Sequence, residues 1–284
     1  MKDMLVRKVF FLLVVSLVFC LSTTLYAQTP NPQSDFMVKL NDAGDGVVIT
    51  NYIGKAASVV IPSEMEGFPV VELGEKAFGS LDTENIKDIS DVSIPDSVKI
   101  IGEFCFANLA LTSITIPASV ESVGERAFYE MRNLTTVVIE NGETRFGRQP
   151  FGICKNIQNI TLPDNMARIP SLFSGCSKLV SIKLPSNLKS IDGGAFSRCG
   201  LTSLELPETL ETIGDRAFAY NEITSLILPS SLKEIGDSAF SGNSITDITF
   251  PEDTTNLKIA SSAFGGNSKL SLKTQATLKK LLGN

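Results

Sequence analysis

Leu201-Thr202-Ser203-Leu204-Glu205-Leu206-Pro207-Glu208-Thr209-Leu210-Glu211-Thr212-Ile213-Gly214-Asp215-Arg216-Ala217-Phe218 decides the architecture, because near-copies of it run through the chain. Leu204 and Leu206 flank Glu205 in the period-two alternation of a strand with one buried face. Pro207 has no N–H to give, so a backbone ladder must stop there. A turn then carries the chain to Leu210 and Ile213, whose apolar side chains are expected to point back inside. Gly214 permits a tight bend, and Ala217 with Phe218 closes the coil, the ring filling its widest part.

On either side the unit recurs with hardly any insertion. Its prolines are Pro62, Pro95, Pro117, Pro163, Pro185, Pro207, Pro229 and Pro251, the last five spaced by 22, with Glu140 standing where one more is due. Phe78, Phe106, Phe128, Phe151, Phe173, Phe196, Phe218, Phe240 and Phe264 keep the same phase, at spacings of 28, 22, 23, 22, 23, 22, 22 and 24. A period of this length with Leu and Ile at fixed steps predicts a leucine-rich repeat solenoid of about nine coils. The expected form is a parallel β-sheet on one face, with short turns and 3-10 segments on the other. At about 4.8 Å per strand the sheet would be roughly 40 Å wide.

Length alone, 284 residues, would suggest two domains. The unbroken repeat instead predicts a single domain over 36–284, since each coil buries its apolar face only against its neighbours. The ends of such a stack need caps. Phe36–Leu40 and Val47–Ile53, joined by Asp42-Ala43-Gly44-Asp45-Gly46, read as a hairpin within an N-terminal cap over 36–60. At the other end, 274–282 reads as a short amphipathic helix within a cap over 270–284. Ahead of the domain, Lys2, Arg7 and Lys8 precede a 13-residue apolar run, Val9 to Leu21, and a small-residue site at Ala27. Residues 1–27 therefore read as a secretory signal peptide, too short in its apolar part to span a bilayer, and 28–35 as a flexible leader.

The composition removes whole classes of function. There is no His, so Ser-His and Cys-His nucleophile pairs and imidazole metal sites are out. A net charge of -6 argues against a grip on nucleic acid. No segment after residue 27 approaches 18 apolar residues, so no membrane insertion of the processed chain is expected.

The repeat resembles the BspA-like, treponemal-type leucine-rich repeat, from about Phe36 to about Leu278. Asn41-Asp42-Ala43-Gly44-Asp45-Gly46-Val47-Val48-Ile49 and Leu270-Ser271-Leu272-Lys273-Thr274-Gln275-Ala276 also look like segments that open and close that group's arrays. The resemblance implies a bacterial solenoid, extracellular, at the cell surface or in the periplasm, often discussed as an adhesin or host-protein binder. It carries no shared catalytic residues. The chain departs from the pattern around Asn141–Phe151 and Ala167–Phe173, where the proline or glycine is missing, and less regular coils are expected there.

Two columns of side chains are candidates for function. Three residues past each core phenylalanine stand Leu81, Leu109, Met131, Cys154, Cys176, Cys199, Asn221, Asn243 and Asn267. A line of thiols has the wrong shape for a metal site, and parallel Cβ vectors disfavour disulfides. The column instead reads as an inward turn, where Asn bonds neighbouring backbone and Cys serves as a small buried group. The recurrent acids Glu125, Asp215 and Asp237 beside the bend are repetition and not a catalytic pair, so neither an enzyme nor any cofactor or metal is expected. The second column is the outward residue of each strand: Val60, Ser93, Thr115, Val138, Thr161, Lys183, Glu205, Ile227 and Thr249. A broad sheet face is where solenoids hold partners. Thr161, Lys183, Glu205, Ile227 and Thr249 mix charge and apolar surface, and form the partner-binding candidate for a host or bacterial surface protein or glycan. The competing reading is a passive surface-coat protein.

Overall fold

The computed structural model describes residues 29–81 and 88–283. The signal peptide expected over 1–27 lies outside the described residues. The chain winds as a β-solenoid around a ten-ring aromatic stack. Tyr52 and the nine phenylalanines from Phe78 to Phe264 follow one another with centroids 4.9–5.8 Å apart and planes within 21°. This offset-parallel stacking is worth more than burial alone. Apart from Phe264, these rings are fully buried.

Each coil has three runs. The first holds the expected strands: Ser58–Val60, Asp91–Ser93, Ser113–Ile116, Thr136–Ile139, Asn159–Thr161, Ser225–Ile227 and Asp247–Thr249. They pair in parallel and in the register the column predicted, Thr115 beside Val138 beside Thr161, and Ile227 beside Thr249. The second run adds a strand column that the repeat did not announce. Ile100–Ile101, Ser122–Val123 and Arg145–Phe146 extend one parallel sheet, and Arg168–Ile169, Ser190–Ile191, Thr212–Ile213, Glu234–Ile235 and Lys258–Ile259 form another. These two-residue strands end at the glycine position, so the bend expected at Gly214 follows directly on a strand. A Cβ on Gly124 would stand 2.6 Å from the Glu103 amide nitrogen, which is why glycine recurs there. In the third run the phenylalanine amide donates to the next coil, as from Phe196 to Ala217 and from Phe218 to Ala239, 2.8 Å each. Residues in left-handed conformation bracket the ring, Arg216 (φ 54) and Tyr220 (φ 58) in the coil of Phe218.

The sheets close at both ends. At the first, β1 (Phe36–Leu40) and β2 (Val47–Tyr52) form the expected antiparallel hairpin, and β2 pairs in parallel with Phe68–Leu73. The turn between them is held by Asn41, whose side-chain oxygen accepts from the Asp45 and Gly46 amides. The segment read as a flexible leader is tied to this cap instead. Asn31 exchanges bonds with the Val60 backbone (2.9 and 2.8 Å), and the Asp35 carbonyl accepts from the Ile53 amide. Leu81 is another departure, 46% exposed, because the long first coil carries it out of the inward column. At the far end α1 (Leu272–Leu281) is capped by Ser271, and Leu278 is buried. Its Thr274 hydroxyl accepts from the Ile248 amide at 3.2 Å, so the helix ends the first-run ladder.

Because each coil meets only its neighbours, removing one whole period, residues 208–229, is expected to leave a folded, shorter solenoid. Removing half a period throws every later inward residue out of phase and is expected to yield an unfolded or aggregated chain. Circular dichroism and cooperative urea unfolding of the two deletions make the comparison.

Candidate functional site

The first-run face does not form the continuous platform that its sequence spacing suggests. Thr161 ends one three-stranded ladder, and Ile227 and Thr249 form a separate pair. Lys183 and Glu205 lie in the coils between, over 181–185 and 203–207, where the chain is not paired as strand. Two backbone bonds bridge these coils near their start, from the Gly200 amide to the Leu179 carbonyl at 3.2 Å and from the Thr202 amide to the Val180 carbonyl at 3.1 Å. The inward residues of the region are affected. Ile182, Leu204 and Leu206 are only partly buried, as Ile160 is at the end of the neighbouring ladder, whereas Ile114, Val137 and Leu226 are buried. Ile227 is 68% exposed and Val180 54%. The five residues singled out in the sequence therefore surround a loosened part of the wall with apolar surface on show. A cleft of about 730 Å³ adjoins it, lined by Leu228, Thr249, Phe250 and Glu208 among others. Val180 takes the position of Thr112, Thr202 and Thr224, which is exposed in those coils as well, whereas the partial exposure of Leu204 and Leu206 was not legible. Their L-x-L setting is the same as in coils where it is buried.

Along the inward column the Asn and Cys positions follow the length of the connection in the preceding coil. Where the next inward aliphatic stands three positions after the column residue, the coil closes its own turn, as from the Leu179 amide to the Cys176 carbonyl (3.0 Å) and from Ile157 to Cys154 (3.2 Å). In three coils where the spacing shortens to two, the aliphatic amide has no such turn and takes the Asn side chain of the next coil. Leu201 donates to Asn221 Oδ1, Ile223 to Asn243 and Ile245 to Asn267, at 3.0–3.1 Å. Each Asn amide nitrogen then donates to two phenylalanine carbonyls, Asn243 to Phe218 and Phe240. Cys occupies the slot where no orphan amide needs an acceptor. Its thiol donates to the equivalent carbonyl, Cys154 to Phe128 at 3.1 Å and Cys199 to Phe173 at 3.2 Å. Cys154, Cys176 and Cys199 are buried, free thiols, and Cys105 is buried in the small-residue slot before its phenylalanine. Among the described residues no cluster of His, Cys, Asp or Glu is arranged to hold a metal. The recurrent acids beside the bend bond the next coil, Asp215 Oδ1 accepting from the Asp237 amide at 2.8 Å.

This arrangement matches a known repeat. The profile of the BspA type leucine rich repeat region matches in six copies, over residues 71–172 and 170–271. The chain belongs to the BspA-type leucine-rich repeat family. Among solved structures it is similar to a leucine-rich repeat protein from Bacteroides ovatus, at 28% identity and a TM-score of 0.61, covering 83% of this chain and 68% of that one. It is also similar to the leucine-rich repeat protein of T. pallidum, at 25% identity and a TM-score of 0.49, covering 89% and 96%. No curated protein matches the chain. For this BspA-type chain the family assignment agrees with the resemblance read from the repeat. Among the described residues no helix is long and apolar enough to cross a membrane.

Two outcomes follow for the inward column. Asn243→Cys leaves the buried Ile223 amide without its acceptor and is expected to cost about 1–3 kcal/mol in urea unfolding. Cys176→Ser, which strands no amide, is expected to cost less. Burial, opposed by the Met131 and Glu130 backbone, pushes the Cys154 thiol from 9.0 up to about 12. The folded chain thus holds this proton more tightly than the unfolded one, and the associated stability is complete below pH 9.0 and lost as pH rises toward 12. The urea midpoint of wild type should fall more steeply above pH 9.0 than that of Cys154→Ala.

Proposed function

We propose that the chain is an exported binding module that engages a host or bacterial surface protein or glycan through its first-run face, and that it carries out no chemistry. The contact centres on Thr161, Lys183, Glu205, Ile227 and Thr249. What supports the reading is the apolar surface, Ile227 at 68% and Val180 at 54% exposure, standing beside one cation and one anion on a loosened wall. A solvated wall has no use for such a group, whereas the centre of a contact does. The core behind it is filled by the aromatic stack, so recognition belongs to the outer surface.

The double substitution Lys183→Glu with Ile227→Asp reverses the cation and removes the apolar centre without touching an inward residue. Its stability is expected to stay within about 0.5 kcal/mol of wild type. Partners captured from panels of extracellular-matrix proteins, bacterial surface proteins and glycans should be lost by this variant. Unchanged capture places the contact elsewhere on the chain.

A further inference from the structure

Among the described residues the second run breaks once, between Phe146 and Arg168. No ladder joins Arg145–Phe146 to Arg168–Ile169, although the strands on either side continue into parallel sheets. One coil on, the Lys189 and Ser190 amides donate to the Ala167 carbonyl, and Asp192 to Ile169. Among the described residues the equivalent groups at the break, the Thr144 and Phe146 carbonyls and the Ala167 and Arg168 amides, have no such backbone partners. The cause is in the sequence. Pro170 stands at the position of the bend glycine and has no N–H to give Phe146. Its bend, Pro170-Ser171-Leu172-Phe173, is one residue shorter than Gly147-Arg148-Gln149-Pro150-Phe151 and lacks the left-handed residue that Gln149 supplies. Meanwhile Asn141 Oδ1 still accepts from the Asp164 amide and the first-run strands remain paired, so the coils part on one side only.

The opening is a cleft of about 580 Å³. Arg145 and Arg148 line it, with Glu143 the acid on the same edge and Asp192 the acid on the other. Asp192 is engaged by Arg168 through two bonds of 2.8 Å. Neither Arg145 nor Arg148 makes a salt bridge among the described residues, in a chain whose net charge is -6.

We propose that this cleft binds an extended acidic peptide segment of another protein. The open carbonyls of Thr144 and Phe146 take N–H groups from its main chain, and Arg145 and Arg148 take its carboxylates. Strand addition gives affinity through backbone bonds and specificity through alternate side chains, and a guanidinium suits a carboxylate in two-pronged geometry. The site lies on the second run and is independent of the first-run contact proposed above.

The probe is a short fluorescent peptide of alternating Glu and Val, titrated into the full chain and read by anisotropy. Saturable binding is expected, weakened about tenfold or more in Arg145→Glu with Arg148→Glu. Pro170→Gly, which restores the missing N–H, should also weaken it while thermal stability holds or rises. The same peptide N-methylated at alternate residues keeps its charge and loses donors, and should bind poorly. The Lys183→Glu with Ile227→Asp variant should bind the probe normally, which separates this proposal from the first. Absent binding, full retention in the double arginine variant, or equal binding of the methylated peptide or a sulfated oligosaccharide overturns it.

Discussion

Every coil of this protein sits about 5 Å from its neighbour, and the stacked rings from Phe78 to Phe264 hold that distance along the core. At this spacing each residue stands on its own counterpart one coil away. A side chain is acceptable only if it tolerates its copies. Phenylalanine satisfies this by offset stacking, and the aliphatic positions satisfy it by interlocking. Glycine recurs before the bend because the preceding backbone comes too near for any Cβ. On the surface the same constraint places charges in register, so Glu211 lies between Lys189 and Lys233. Bonds from Lys233 and then Lys189 hold its carboxyl below the usual range.

The polar interior follows from the same stacking. A buried amide without a partner is costly, and in a solenoid each error is repeated or inherited by the next coil. The chain meets this with two devices. A three-residue connection closes on itself, and the two-residue connections to Leu201, Ile223 and Ile245 borrow the Asn of the following coil. The change from Cys to Asn along the column therefore tracks a change in coil length. It is a structural record of where amides need acceptors.

Both proposed contacts lie where the stacking relaxes. Between the coils of Arg145 and Arg168 the first run stays paired and the second opens. Over 181–207 the second run stays paired and the first opens. The wall parts on one side and then on the other, while the third run continues its bonds past both, from Phe151 to Leu172, Phe173 to Ala195 and Phe196 to Ala217. Backbone groups or apolar side chains that regular coils conceal come to the surface at these two places. They are the parts of the molecule best equipped to meet another chain.

The sequence by itself determined the solenoid, its nine phenylalanines, the hairpin cap, the terminal helix and the register of the outward column. Each of these is a local pattern multiplied by a period, and repetition turns local preference into global geometry. It also marked the coils around Asn141–Phe151 and Ala167–Phe173 as irregular, through the missing proline and glycine. What it did not contain was the state of the backbone between coils. The second strand column has only two residues per coil, too few to show alternation. Lys183 and Glu205 look like strand residues because their flanking leucines and isoleucine keep the pattern, yet their coils are not joined by a ladder. Pairing depends on how far the tilt of one coil carries into the next, a sum over neighbours that no single repeat encodes, and only the assembled stack decided it.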